Sequence, residues 1–299
     1  MTSSPALDPA FVSLLSDPRV ALHPPAPGVP LADYRRRLDR PMAAVTGPEM
    51  WSVHSTRTGG VALRVYRPAM DARGVILFVH GGGFVTGSLD THDALCRSLA
   101  RSSGAAVVAV DYRLAPEAPF PAALNDCAAA LQWVLDDRGL DTRWISICGD
   151  SAGGHLATMT ALHAARSGVR LHALGLFYPV VGPACATRSW QTLGTGHMLT
   201  RGWMRWAWQC YCDEANASPG DIDLLAMDLA LLPRTHILTA AFDPLQDEGK
   251  ALAAAIRATG GQATEICYAG MIHGFASLPM LTPLANEAIA QMASALSST

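Results

Sequence analysis

Between residues 74 and 270 the chain repeats one pattern, a short β-rich run followed by a segment of other character. The runs are GVILFVHGG (74–82), AAVVAVDYR (105–113), RWISICGD (143–150), LHALGLFYP (171–179), THILTAAFD (235–243) and ATEICYAG (263–270), and apolar stretches of helical length separate most of them. Strands that alternate with helices pair in parallel, and a parallel sheet must be covered on both faces. An α/β fold with a mostly parallel central sheet flanked by helices is therefore expected. Upstream, MWSVHST and VALRVYRP both alternate and are joined by RTGG, which reads as an antiparallel pair.

One connection breaks the rhythm. Residues 182–233 contain GWMRWAWQCYC and no convincing strand, and a connection this long in a compact domain is usually functional. With residues 1–45, which hold the breaker LHPPAPGVP and the basic helical run YRRRLDR, it is expected to form a helical cap over a core of 46–181 and 234–299. On a helix Trp203, Trp206, Ala207 and Cys210 share one face, and Trp208 and Tyr211 another. At least one aromatic should line a pocket, with Phe84, Trp203 and Trp208 the candidates.

Of the 299 residues half are hydrophobic and 16% charged, enough to bury a large core; the net charge of −3 shows no basic excess, which argues against nucleic acid. The first residues lack a basic start and a continuous apolar core, and no run is long enough to span a bilayer, so a cytoplasmic protein without stable membrane association is expected. The seven scattered cysteines read as reduced thiols, with no disulfide framework and no metal site. A homodimer is compatible with the sequence.

The chemistry centres on ISICGDSAGGHLA (145–157). Gly149, Ser151 and Gly153 satisfy G-x-S-x-G between a strand and a helix, the context in which a sharp turn presents a reactive serine. The strained turn requires neighbours with almost no side chain. The helix start supplies free N–H groups, among them that of Ala152. In HGGGF (80–84) three glycines follow a strand, and Gly82 and Gly83 are the expected donors to an oxyanion, with Gly81 and His80 shaping the loop. Of ten histidines, His273 follows the last strand and is flanked by flexible residues, as a base for Ser151 must be. The acid should lie between serine and base: Asp243 is preferred and Asp247 is second. Asp243 also reads as the N-cap of a helix through Pro244 and Gln246, a role expected to compete with orienting His273.

HGGGF, DYRLAPE (111–117), GDSAGG (149–154), DPLQDEG (243–249) and HGF (273–275), in this order, resemble the hormone-sensitive-lipase-like (bacterial family IV) carboxylesterases of the α/β-hydrolase fold. The resemblance covers about residues 74 to 276. It implies a Ser151, Asp243, His273 triad, an oxyanion hole from Gly82, Gly83 and Ala152, a cap, and hydrolysis of short- to medium-chain esters through an acyl-enzyme, with no metal or organic cofactor. His155 stands where many members carry Asn. An amidase or deacetylase using the same triad is the alternative, and a non-catalytic small-molecule receptor on this fold is a weaker one.

Overall fold

The computed structural model describes residues 6–137, 139–212 and 218–298. Eight strands form one sheet in the order β1-β2-β4-β3-β5-β6-β7-β8. They are β1 (Ser52–Thr58), β2 (Val61–Arg67), β3 (Val75–Val79), β4 (Ala106–Asp111), β5 (Ile145–Asp150), β6 (Leu174–Phe177), β7 (Thr235–Phe242) and β8 (Ala263–Ile272). All six expected runs are strands. The β1–β2 and β2–β4 pairs are antiparallel and the remaining pairs parallel, so the upstream hairpin caps one edge.

The helices, in chain order, are α1 (Pro9–Leu15), α2 (Leu31–Ala43), α3 (Asp93–Ser103), α4 (Ala122–Asp136), α5 (Ala152–Arg166), α6 (Arg188–Leu193), α7 (Arg201–Tyr211), α8 (Pro219–Ile222), α9 (Gln246–Ala258) and α10 (Leu284–Ser297). Two apolar layers fill the faces of the sheet. One joins Ile76, Phe78 and Val107 to α3 and α10; the other joins Leu77, Val79 and Ile147 to α4, α5, α9 and α7. Every residue of β3 is buried, as a strand covered on both faces requires.

The topology decides where chemistry can occur. From β3 the chain moves outward to β4, then returns to β5 on β3's other side, so the order reverses between β3 and β5. Such a switch point leaves a crevice at the carboxyl ends of the strands. Val79 pairs with Gly149, so the loops after β3 and β5 leave the sheet side by side. At the far edge an irregularity between Ala240 and Phe242 brings Phe242 opposite Ile272, one residue before Asp243 and His273 respectively. A bulge re-aims the residues that follow it.

Among the described residues of 182–233 there is no strand, only α6, α7, α8 and two 3₁₀ turns; 213–217 of that insert and 1–5 of the N-terminal segment lie outside the described residues. The insert and N-terminal segment are tied to each other. Leu22 N–H donates to the Met198 carbonyl at 2.8 Å, the Thr200 hydroxyl to the Leu22 carbonyl at 2.6 Å, and Trp203 Nε1 to the Tyr34 hydroxyl at 2.6 Å. The two-face reading of α7 needs correction. Trp203, Met204, Ala207, Trp208 and Tyr211 form one buried stripe, while Trp206 and Cys210 are only partly covered. Packing against the α2 side and the sheet side together widens the apolar face beyond a single row.

No helix among the described residues is long and apolar enough to cross a membrane. All seven cysteines are unpaired.

Candidate active site

Ser151 takes φ +53° and ψ −122° at the junction of β5 and α5. A residue with a side chain is rarely held there, and the sequence around it removes everything that would collide. A Cβ on Gly149 would lie 2.3 Å from the Gly153 carbonyl oxygen, and one on Gly153 would lie 2.1 Å from the Val79 carbonyl oxygen. Ser151 N–H donates to Phe177 at 2.9 Å, and its carbonyl accepts from Gly154 and Val180. Both backbone groups of Ser151 are thus used to hold the conformation.

His273 Nε2 lies 2.9 Å from Ser151 Oγ, and His273 Nδ1 lies 2.8 Å from Asp243 Oδ2. Asp243 is fully buried and the other two are nearly so. Tyr178 packs against the His273 ring at 4.9 Å. The same carboxylate uses Oδ1 to accept from Leu245 N–H at 2.8 Å. The expected competition between capping and orienting therefore does not arise, because each task takes one oxygen. The helix also begins later than the sequence reading places it: Leu245 is the N-cap of α9, and the Gln246 side chain reaches Cys267 Sγ rather than turning back. Asp247 is engaged elsewhere, accepting from Ser189 N–H in the first turn of α6 at 2.8 Å.

The HGGGF loop faces this group from β3. Gly82 and Gly83 have φ of +120° and +59°. Among the described residues the N–H groups of Gly82, Gly83 and Ala152 donate to no protein acceptor, whereas Gly81 N–H donates to Asp150 Oδ1 at 2.8 Å. A Cβ on Gly82 would lie 2.2 Å from the Thr86 carbonyl oxygen, and one on Gly83 would lie 2.4 Å from the Trp203 ring. Three bare amides beside a serine hydroxyl suit a developing negative charge.

Sequence reasoning missed what supports this loop. Asp150 is buried with His92 Nε2 at 3.3 Å. Burial pushes the Asp150 carboxyl up, but His92 and the Gly81 N–H outweigh it and hold it below its ordinary value; burial likewise opposes the His92 charge, and Asp150 with Asp39 raises it. His80 stacks on Tyr112 at 4.2 Å, and burial followed by the His92 charge lowers its pKa to about 3. It is a neutral wedge. Tyr112 of DYRLAPE donates to the His80 carbonyl at 2.8 Å, and Arg113 pairs with Asp126 of α4. That motif carried the signal without a stated role.

Of the substrate-side candidates, Trp203 lies over Gly83, and Phe84 and Trp208 pack together at 4.9 Å. A cavity of about 720 Å³ lies between residues 15–23 and 194–202, and includes Met198. The Met198 methyl is 3.3 Å from where a Cβ on Gly274 would stand, next to His273.

Residues 76–277 match the model of a family described by its alpha/beta hydrolase fold. The chain belongs to that family. Within it, the chain is 38% identical over 235 residues to the carboxylic ester hydrolase LipN of Mycobacterium tuberculosis, a match that covers 74% of this chain and 62% of LipN. It is 33% identical to the ethyl acetate hydrolase of Pseudomonas putida, over 88% of this chain and 89% of the other. Among solved structures, a hyperthermophilic esterase from Pyrobaculum calidifontis superimposes with a TM-score of 0.88 at 34% identity, covering 98% of both chains. This α/β hydrolase belongs to the hormone-sensitive-lipase-like branch that its five ordered motifs resemble.

Proposed function

We propose that this α/β hydrolase is a serine carboxylesterase, and that Ser151, His273 and Asp243 are its catalytic triad. The observation that carries the reading is the continuous hydrogen-bonded chain from Asp243 Oδ2 through both His273 nitrogens to Ser151 Oγ. Asp243 holds the imidazole with Nδ1 protonated, leaving Nε2 free to take the serine proton as Oγ attacks the ester carbonyl. Oγ–C bond formation gives a tetrahedral oxyanion, held by the N–H groups of Gly82, Gly83 and Ala152. His273 then returns the proton to the departing alkoxide, and the C–O bond of the alcohol breaks. Water, deprotonated by the same nitrogen, attacks the acyl-serine, and its collapse releases the acid and restores Ser151. The curated relatives named for carboxylic esters and ethyl acetate support this substrate class.

Residues 1–45 and 182–233 act as a cap in this reading. Met198, which lines the cavity between them, stands beside Gly274 and so brings that cavity near His273. The seven unpaired thiols suit a cytoplasmic setting.

Ser151→Ala tests the reading. Hydrolysis of p-nitrophenyl butyrate should fall by about four orders of magnitude or more with the fold unchanged, since only the attacking oxygen is lost. Retention of a tenth of the activity would move the nucleophile elsewhere.

A further inference from the structure

Beside the nucleophile, polar atoms of three enclosed side chains stand without partners. Nε1 of Trp208 and the Tyr211 hydroxyl make no hydrogen bond among the described residues, and neither ring nitrogen of His155 has a partner in good hydrogen-bonding geometry there, although the Val180 and Val181 backbone lies close to the ring. All three side chains are at least 97% buried. They belong to one cluster: His155 meets Trp208 edge-on at 5.3 Å and Tyr211 at 6.5 Å, and Tyr211 stacks on Phe84 at 4.0 Å. A buried polar group left bare is costly. Four such atoms in one place call for a cause beyond packing.

Their position supplies it. His155 is one turn of α5 beyond Ser151, about 6 Å along the axis at about 1.5 Å per residue, and Phe84 directly follows Gly83. One further turn brings Met159, which with Phe120, Leu124 and Met227, and with the charged Arg166, Asp221 and Asp228, lines a cavity of about 370 Å³. Phe120 in turn packs edge-on against Tyr211 at 5.8 Å. The face of α5 that carries Ser151, His155 and Met159 thus runs from Ser151, past the unpartnered atoms, to a cleft of mixed apolar and charged lining.

The chemistry of the cluster selects its ligand. Trp208 Nε1 can only donate, and the Tyr211 hydroxyl and a neutral imidazole can each donate once. Burial drives the His155 pKa down to about 3 against the opposing pull of the nearby Val180 and Val181 backbone, so no positive charge is present. A carboxylate would be desolvated there without a counter-charge, and a plain alkyl chain would leave the donors bare. An uncharged oxygen acceptor, with two lone pairs, can accept from two of these donors at once.

We propose that His155, Trp208 and Tyr211 form a recognition site for the acyl group, favouring esters whose acyl chain carries an uncharged keto, ether or ester oxygen three or four carbons from the scissile carbonyl. The proposal rests on the esterase reading above, with the acyl chain directed along α5.

The test compares p-nitrophenyl 4-oxopentanoate with its near-isostere 4-methylpentanoate, each kcat/KM divided by the ester's own hydroxide-catalysed rate, with p-nitrophenyl acetate as an independent report of esterase activity. The wild type should prefer the oxo ester by about tenfold or more. Tyr211→Phe, which removes one oxygen, should lower that ratio about five- to tenfold, the worth of one neutral hydrogen bond, and His155→Leu should do the same. A normalised ratio near one, with acetate cleaved, would mean that ordered water satisfies these atoms and would overturn the proposal alone. A ratio that both variants leave unchanged would also overturn it. Failure to cleave acetate would overturn the esterase reading and this proposal together.

Discussion

The floor of the site and the segments above it are held by different physics. In the floor, Gly82, Gly149 and Gly153 touch backbone carbonyls directly, with no room for a methyl group. In the upper segment, α7 is joined to the N-terminal segment mainly through side chains, Trp203 to Tyr34 and Thr200 to the Leu22 carbonyl, with one backbone bond from Leu22 to Met198 just before the helix. Close-packed backbone has few alternative arrangements, whereas side-chain contacts can repack with small losses. The floor should therefore respond to change steeply and through turnover, and the upper segment gently and through preference.

The largest effect should come from the buried acid. Asp243→Asn is expected to lower kcat about ten-thousandfold, since an amide favours the wrong imidazole tautomer. Asp247→Asn should change kcat by less than about tenfold, because its carboxylate caps α6 instead. Steady-state kinetics on both variants checks the pair, and equal losses would erase the distinction between them.

Next comes a methyl group in the floor. Gly82→Ala forces a Cβ against the Thr86 carbonyl at a φ of +120°, so the loop must shift and misplace its amides. A loss of about 10²–10³ in kcat, the worth of one oxyanion donor, is expected, with KM changed far less. A KM-only effect would place the loop outside the chemistry.

The floor was readable in advance because it is local. The G-x-S-x-G turn and the glycine loop are each encoded within about five consecutive residues whose small size is itself the signal. Asp243 and His273 were readable through the strands they follow, yet the start of α9 was not, since Pro244 fits both a helix's first turn and the loop before it. Asp243's double use also escaped, because which oxygen faces which donor depends on where Leu245 and His273 lie in space, and they come from separate stretches of the chain. The Asp150–His92 pair joins residues 58 apart in sequence, and no spacing rule announces it. In α7 the period was visible and the width of the buried face was not, since that width depends on how many neighbours surround the helix.

Glu248 links the two regions and gives a smaller, pH-dependent effect. Its carboxylate accepts from Trp190 Nε1 of α6 at 2.6 Å and from Val181 N–H after β6 at 2.9 Å. Burial, only partly offset by these bonds, raises its pKa from 4.5 to about 7. The native state then holds this proton more tightly than the unfolded chain, so stability should decline as pH rises from about 4.5 to 7 and level off above, by up to about 3 kcal/mol from this group. Glu248→Gln should flatten that part of the pH–stability curve in denaturant melts. An unchanged slope would show that other groups set it.

The smallest effect is expected for a methyl group added above the floor. Nothing lies within 4 Å of a Cβ built on Gly202 in α7, so Gly202→Ala should stabilise the protein by about 0.5–1 kcal/mol through helix propensity and leave kcat within about twofold. A large loss of turnover would mean that α7 is as intolerant as the floor, and the contrast would fail.

The central claim is that Ser151 is the group His273 activates. Wild type and Ser151→Ala incubated with diethyl p-nitrophenyl phosphate and weighed intact test it directly. One diethylphosphoryl adduct per wild-type chain, mapped to the peptide holding Ser151, absent from Ser151→Ala and strongly slowed in His273→Ala, is the expected result. An adduct on any other residue, or equal labelling of Ser151→Ala, would contradict it.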